Sequence, residues 1–196
     1  MEEPCSQSGP IVRRPSDRTF TTQEGRGSDH RTVGSLLEEQ RQTIYRRLLA
    51  GASGAEVMAS LTELVDGLIV GRYRNAVRRL ADVTAGFRHA CLVALGGYGR
   101  RELSPYSDID VMLLYRREAA GVIPDLSREL FQHLWDLGFQ VGHSVRTVPD
   151  CLELAGSDLT IRTSMMEARF LAGGPEFFQE FQGRVRRRIG ARRPAR

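Results

Sequence analysis

Two aspartates separated by one residue are the feature of this sequence best suited to chemistry. The segment from Asp108 to Tyr115 is acidic at its start and apolar afterwards, a pattern that predicts a β-strand. Because residues i and i+2 of a strand point to the same face, the carboxylates of Asp108 and Asp110 should lie side by side. Two like charges this close raise each other's pKa unless a cation lies between them. Such hard oxygen ligands suit Mg²⁺, which takes one or two carboxylates together with substrate phosphates.

Two glycines at the end of another apolar run supply the second half of this chemistry. Gly96 and Gly97 follow the run 90–95, and glycine lets a backbone approach a ligand closely because it has no Cβ. A helix that starts there would turn its free N–H groups and its positive dipole end towards an anion such as a triphosphate. Alone, the glycines also fit a tight turn and the aspartates a solvated strand start. Together with Ser107, whose hydroxyl could contact the triphosphate, they predict a metal-dependent site for phosphate chemistry.

Changes in hydrophobic period indicate which elements would hold these residues. Short apolar runs predict strands, the first of them buried on both faces, and three- to four-residue spacings predict helices. The predicted strands cover residues 90–95, 108–115 and 139–147, and the predicted helices cover 125–137, 149–156 and 157–173. This β-α-β-α-β order, followed by helices, predicts a small α/β domain with an α-rich N-terminal extension.

The chain divides into four predicted regions. Residues 1–32 are rich in Ser, Gly, Pro, Thr and Arg and are predicted to be disordered, because they cannot bury enough apolar surface. Residues 33–85 form a predicted helical arm of two amphipathic helices, broken at Gly51 to Gly54. The core follows over residues 86–182. Residues 183–196 form an Arg-rich tail that is predicted to be solvated and disordered.

Composition excludes several classes of protein. The chain has 196 residues, of which 41% are hydrophobic and 27% charged, as in an ordinary globular domain. No apolar run approaches the ~20 residues that a membrane span requires, and the acidic N-terminus lacks the apolar segment of a secretory signal. The three cysteines, Cys5, Cys91 and Cys151, are odd in number and show no CxxC spacing. They are interpreted as free thiols of a reducing compartment, which predicts a cytoplasmic protein.

The positive charge is concentrated at one end of the chain. All 28 basic residues are Arg, and seven of them lie in residues 183–196, which contain no acid. The rest of the chain carries a net charge of −3. Because a nucleic-acid-binding face is normally part of the fold, this distribution argues against nucleic acid as a partner.

The motif resembles a known superfamily. Gly96-Gly97 followed by Ser107-Asp108-Ile109-Asp110 is similar to the signature of the DNA polymerase beta-type nucleotidyltransferases. The longer string from Gly96 to Asp110 closely resembles the protein-PII uridylyltransferase/uridylyl-removing family, and the similarity extends over roughly residues 35–180. The resemblance implies a nucleotidyltransferase fold with a small mixed sheet. It also implies Mg²⁺-dependent transfer of UMP from UTP to a tyrosine of the PII signalling protein when nitrogen is scarce.

The geometry and the resemblance together assign roles. Gly96 and Gly97 would cradle the triphosphate, Ser107 would add a hydroxyl contact, and Asp108 and Asp110 would hold the metal ions. The preference for UTP depends on the resemblance alone.

Two departures from the family leave alternatives open. The chain is several times shorter and shows no His-Asp pair after the core, so the family's HD hydrolase and its glutamine-sensing ACT domains do not carry over. Many members of the superfamily have a third carboxylate on the strand after the Asp-x-Asp strand, but residues 139–147 contain no acid. Asp158 and Glu167 are the candidate substitutes, although a helix N-terminus and a salt bridge fit them better.

The alternatives are a stand-alone nucleotidyltransferase with another protein or small-molecule acceptor, and a silent, truncated remnant that only binds nucleotide or PII. The positions of four further residues in the predicted elements also indicate their surroundings. His143 and Arg146 should border the site, and Phe131 and Trp135 should pack in the core.

Overall fold

A computed structural model describes residues 27–80 and 87–190. Within these ranges the chain forms four strands, seven α-helices and 3₁₀ turns at residues 87–89 and Arg117–Ala119. In chain order the elements are α1 Gly27–Leu49, α2 Gly54–Arg79, β1 Ala90–Ala94, α3 Gly96–Gly99, β2 Ile109–Tyr115, α4 Ile123–Asp136, β3 Val141–Thr147, α5 Val148–Ser157, α6 Leu159–Met166, β4 Arg169–Gly173 and α7 Pro175–Gly190.

The four strands form one mixed sheet in the order β3-β2-β1-β4. Strand β1 is antiparallel to both β2 and β4, whereas β2 and β3 are parallel. Every residue of β1 is fully buried, because the strand is central and both faces of the sheet are covered. The predicted small mixed sheet of an α/β protein is therefore confirmed.

Helices cover the two faces of the sheet and make two cores. On one face α2 and α4 pack against the sheet, where Ile69, Leu113 and Leu130 are among the buried side chains. On the other face α5 and α7 pack against side chains such as Met112 and Val93. Burial at about 25 cal/mol per Å² of apolar surface makes these two layers the main source of stability.

Helix α2 connects the N-terminal part of the chain to the sheet. It begins with a capping box, in which the Ser53 hydroxyl accepts from the Glu56 N–H and the Glu56 carboxylate accepts from the Ser53 N–H. Its apolar stripe, including Val65 and Ile69, is buried in the first core. Helix α1 packs on α2 but is more exposed, and of its predicted stripe only Leu37 is buried.

Helix α1 begins at Gly27, six residues before the predicted start at Val33. The apolar pattern marks where packing begins, but backbone hydrogen bonds can continue a helix through polar residues. The predicted disorder of residues 1–26 lies outside the described residues.

The segment after α5 differs from the prediction of one long helix over 157–173. Helix α6 is capped by Asp158 instead of Ser157 and ends at Met166, and β4 follows. Strand β4 pairs with the edge of β1 that β2 leaves free, where a buried strand would otherwise have unpaired N–H and C=O groups. Pairing that is distant in sequence thus decided the structure of residues 169–173.

The basic tail also differs from the prediction. Residues 183–190 are not solvated coil but continue helix α7, and Val185 is only 3% exposed in the second core. The buried Val185 packs this part of the helix against the second core. Residues 191–196 lie outside the described ranges.

Two further properties follow from the described residues. Within residues 27–80 and 87–190, no helix has the length and apolar character needed to cross a membrane. Cys91 and Cys151 are free and buried, and burial raises the pKa of each thiol to about 12.

Candidate active site

A one-turn helix of glycines follows β1. Helix α3 starts at Gly96, whose φ of +55° lies in the left-handed region that glycine adopts without strain. Gly99 packs so closely that a Cβ there would lie 2.3 Å from the carbonyl oxygen of Glu167. The Glu102 N–H donates to the Gly97 carbonyl over 2.9 Å. The helix predicted after the glycines is thus present but short, and we name residues 95–101 the glycine turn.

Asp110 interrupts the burial of strand β2. Its side chain is exposed, whereas Val111 to Leu114 are buried. The carboxylate lies beside the glycine turn, since a Cβ on Gly96 would be 3.3 Å from Asp110 Oδ2. Asp108 lies just before the strand and is exposed. Desolvation by the surrounding protein and then the negative charge of Asp108 raise the pKa of the Asp110 carboxyl above its usual range, a repulsion that a bound cation would relieve.

Gly142 lies on β3, the strand where a third acid was expected. Strands β2 and β3 pair in parallel with Asp110 opposite Gly142. A Cβ on Gly142 would lie 2.3 Å from Asp110 Oδ1. The missing side chain therefore leaves the space that the Asp110 carboxylate fills. A glycine inside a strand often marks such a close approach, so a signal for this residue exists in the sequence.

The two substitutes considered for a third acid are engaged elsewhere. Asp158 accepts from the Ile161 N–H and caps α6. Glu167 forms an ion pair with Arg100 over 2.6 Å, and Arg100 also pairs with Glu102 over 2.7 Å. Among the described residues, no group of three or more His, Cys, Asp or Glu side chains is placed to hold a metal ion.

Ser107 shapes the loop between the glycine turn and the aspartates. Its hydroxyl donates to the Ser104 carbonyl over 3.0 Å and accepts from the Ser104 N–H over 3.1 Å. Arg41 of α1 donates to the neighbouring Pro105 carbonyl over 3.2 Å. In this structure the Ser107 hydroxyl therefore closes a turn, and a contact with phosphate would require it to exchange these partners.

Two residues that the sequence analysis did not select, Asp66 and Arg169, hold the glycine turn in place together with its own Tyr98. Arg169 of β4 forms two hydrogen bonds with the Asp66 carboxylate of α2, and the Tyr98 hydroxyl donates to Asp66 over 2.6 Å. Burial and then the hydrogen bond to Asp66 raise the pKa of the Tyr98 phenol. These residues are distant in sequence, so no local pattern indicates that they meet. We name Asp66, Tyr98 and Arg169 the clamp.

His143 does not lie beside the aspartates. It packs against Phe131 and Trp135 of α4, with ring centroids 4.7 and 5.1 Å away, on the opposite face of the sheet from Asp110. Desolvation lowers the pKa of the His143 imidazole. The prediction that Phe131 is in the core is confirmed, but Trp135, one residue before the end of α4, is 48% exposed.

The residues at this site fit a magnesium-dependent phosphate reaction. Two carboxylates lie at the same end of the sheet as the glycine turn, and the repulsion between them favours a cation. Two carboxylates are within the number that Mg²⁺ uses when substrate phosphates complete its coordination.

Comparison with known proteins relates this chain to nucleotidyltransferases. Residues 38–148 match the family described as putative nucleotidyltransferase DUF294. The bifunctional uridylyltransferase/uridylyl-removing enzyme of Nitrosococcus oceani is 39% identical over 148 residues, which are 76% of this chain and 16% of that protein.

Two further proteins of the same name are similar. That of Caulobacter vibrioides is 38% identical over 170 residues, or 82% of this chain and 18% of the relative. That of Cupriavidus pinatubonensis is 48% identical over 118 residues, which are 58% of this chain and 14% of the relative. The chain thus spans about a sixth of the length of the curated relatives it matches.

Proposed function

Since this chain belongs to the DUF294 family of putative nucleotidyltransferases, we propose that it transfers UMP from UTP to a tyrosine of the PII signalling protein. The observation that carries the proposal is the fit of the Asp110 carboxylate between Gly96 of the glycine turn and Gly142 of β3. This fit places the acidic pair next to the backbone N–H groups of the glycine turn. The names of the relatives support uridylyl transfer, and the resemblance of residues 96–110 supports PII as acceptor.

The reaction breaks a phosphoanhydride bond of UTP and forms a phosphate ester with the tyrosine. The tyrosine oxygen forms a bond to the α-phosphorus of UTP, the bond from that phosphorus to the bridging oxygen breaks, and pyrophosphate leaves while the phenol loses its proton. Asp108 and Asp110 would hold Mg²⁺, which neutralises negative charge on the phosphates when bound. The backbone of Gly96 and Gly97 would bind and orient the triphosphate, so that the α-phosphorus faces the acceptor.

A second candidate function is nucleotide or PII binding without transfer. The observation that favours it is that β3, the strand where many superfamily members have a third acid, contains none, while Glu167 and Asp158 are engaged in other contacts. If the chain is an enzyme, the alternative function is nucleotidyl transfer to another protein or to a small molecule. We also propose a cytoplasmic location, which the free thiols of Cys91 and Cys151 support.

The test is transfer of radiolabelled UMP from UTP to purified PII, with and without Mg²⁺. Asp108→Asn and Asp110→Asn keep the side-chain size and remove the charge, so each should reduce transfer by about 10³-fold or more, or roughly 4 kcal/mol of transition-state stabilisation. Asp125→Asn is the matched control, because Asp125 is an exposed acid on α4 that pairs with Arg128.

Each outcome separates the candidates. Equal transfer by the parent and both variants would show that the aspartates are not the metal ligands. A parent that binds UTP but never labels PII would favour the binding function. Parallel assays with ATP, CTP and GTP test the choice of base.

A further inference from the structure

The clamp ties the N-terminal helices to the glycine turn through partly buried charges. Arg169 Nη1 donates to Asp66 Oδ2 over 2.7 Å, and Nη2 donates to Oδ1 over 3.0 Å. The two side chains are only 20% and 19% exposed. A two-point ion pair shielded from solvent fixes geometry better than an exposed pair, because the planar guanidinium matches both carboxylate oxygens.

The same guanidinium holds the carbonyl end of helix α3. Its Nη2 donates to the Tyr98 carbonyl over 3.1 Å and its Nε donates to the Gly99 carbonyl over 3.2 Å. These carbonyls lie at the end of the helix, where intrahelical donors run out. The Tyr98 ring, 1% exposed, lies 5.2 Å from the guanidinium carbon.

Helix α3 needs such support from outside. It is one turn long, and three of its four residues are glycine. One helical turn is unstable on its own, and glycine loses more conformational entropy on folding than any other residue. Asp66 therefore sets the position of Arg169, and Arg169 sets the direction of the turn.

We propose that Asp66 and Arg169 are positioning residues for nucleoside triphosphate binding, which act by orienting the backbone N–H groups of Gly96 and Gly97 towards the phosphates. The inference rests on the proposed function, in which those groups contact the triphosphate. It gives Asp66 of α2, far outside the motif of residues 96–110, a role in positioning the binding site.

The proposal predicts a particular kinetic change. The turn would contact the triphosphate in the ground state and the transition state alike, so loosening it should raise KM and the Kd for UTP much more than it lowers kcat. Asp66→Asn turns an amide N–H₂ towards the guanidinium, and Arg169→Lys cannot make the paired bonds. We expect either change to weaken UTP binding about tenfold or more.

The control is the other ion pair of α2. Arg79 pairs with Glu129 of α4 over 2.5 Å, with side chains 57% and 27% exposed. Glu129→Gln breaks a link between α2 and the core without touching the glycine turn. It should leave the Kd for UTP unchanged.

Three measurements on the full chain test whether Asp66 and Arg169 position the glycine turn. Calorimetry gives the Kd for UTP, the transfer assay gives KM and kcat, and hydrogen exchange followed by mass spectrometry gives the protection of residues 95–102. Asp66→Asn should weaken binding and speed exchange in this segment, while circular dichroism shows a folded protein. Arg169→Lys, which keeps its charge, provides a second variant should Asp66→Asn not fold.

Unchanged UTP binding or unchanged exchange of residues 95–102 in the folded variants would overturn the inference. Loss of protection spread evenly over the whole chain would also overturn it, since that would indicate a structural role only. A parent that binds UTP but transfers no UMP would contradict the proposed function, and the binding and exchange results would still decide the role of the clamp. A parent that binds no UTP would overturn both.

Discussion

Gly142 matters to the candidate site because of the side chain that it lacks. In Gly142→Ala the new Cβ would lie 2.3 Å from Asp110 Oδ1, so the carboxylate must move. A displacement of about 1 Å at a reacting centre can cost about 10²-fold in rate, and we expect a loss of that order in UMP transfer. Gly121→Ala is the control, because a Cβ there meets no atom within 4 Å. Parent-like transfer by Gly142→Ala would show that this position of Asp110 is not required.

Asp110 should reduce stability at neutral pH. Because the folded protein holds the pKa of this carboxyl above its usual range, protonation favours folding. This contribution is complete below the usual aspartate pKa of about 4 and is lost as the pH rises through the raised value. Asp110→Asn resembles the protonated form, so its free energy of unfolding should exceed that of the parent at pH 7 and approach it in acid. Urea unfolding across pH, in the presence of a metal chelator, measures this difference. A variant that is less stable than the parent at pH 7 would contradict it.

Glycines in two helices should respond oppositely to the same substitution. A Cβ on Gly67, an exposed residue of α2, meets nothing within 4 Å, so Gly67→Ala should stabilise the protein by roughly 0.5–1 kcal/mol. Gly99→Ala would place a Cβ 2.3 Å from the Glu167 backbone and 3.1 Å from the Ala94 carbonyl oxygen. It should cost about 1–3 kcal/mol and also weaken UTP binding. Thermal unfolding and calorimetry distinguish the two effects. Equal stability of both variants would argue against the tight packing of α3.

Elements with a strong local pattern could be predicted from sequence. Strand β1 is a continuous apolar run, β2 is apolar after its acidic start, and α2 has a regular apolar stripe, so the sequence alone indicates all three elements. Strand β4 was assigned to a helix, because its five residues show no alternation of their own. Its structure depends on the free edge of β1, which no local window reveals.

The same division applies to the candidate site. Gly96, Gly97, Asp108 and Asp110 belong to one short stretch, so their spacing could be interpreted chemically before the fold was known. The partners that shape them come from elsewhere in the chain. Asp66 lies on a helix whose apolar stripe drew the interpretation towards packing, and Arg169 is one of 28 arginines.

At the scale of the whole molecule, helix α2 is part of the core and not an appendage. Ile69 is fully buried and Val65 is 4% exposed. A chain of residues 81–196 alone should therefore expose the part of this sheet face that α2 covers, aggregate and lack a cooperative thermal transition. Size-exclusion chromatography and calorimetry would check this.

Point variants provide a matched control for the deletion. Ile69→Ala should cost about 2–5 kcal/mol, whereas Leu49→Ala, at a residue 87% exposed, should cost almost nothing. A soluble 81–196 chain with a sharp transition would mean that α2 is dispensable to the core.

The antiparallel pairing of β1 with β2 has a consequence for the order of folding. The glycine turn and Asp108 both lie in the connection between these neighbouring strands, residues 95–108, so their meeting requires only this segment to close. The clamp joins residues 103 positions apart. Contacts of low sequence separation tend to form earlier, so the hairpin should already exist in the folding transition state and the clamp should form after it. Substitutions in β1 would then slow folding, while Asp66→Asn would chiefly speed unfolding, a contrast that stopped-flow kinetics can measure. The glycine turn and the aspartates would thus come together early in folding, and the clamp would fix their positions only at the end.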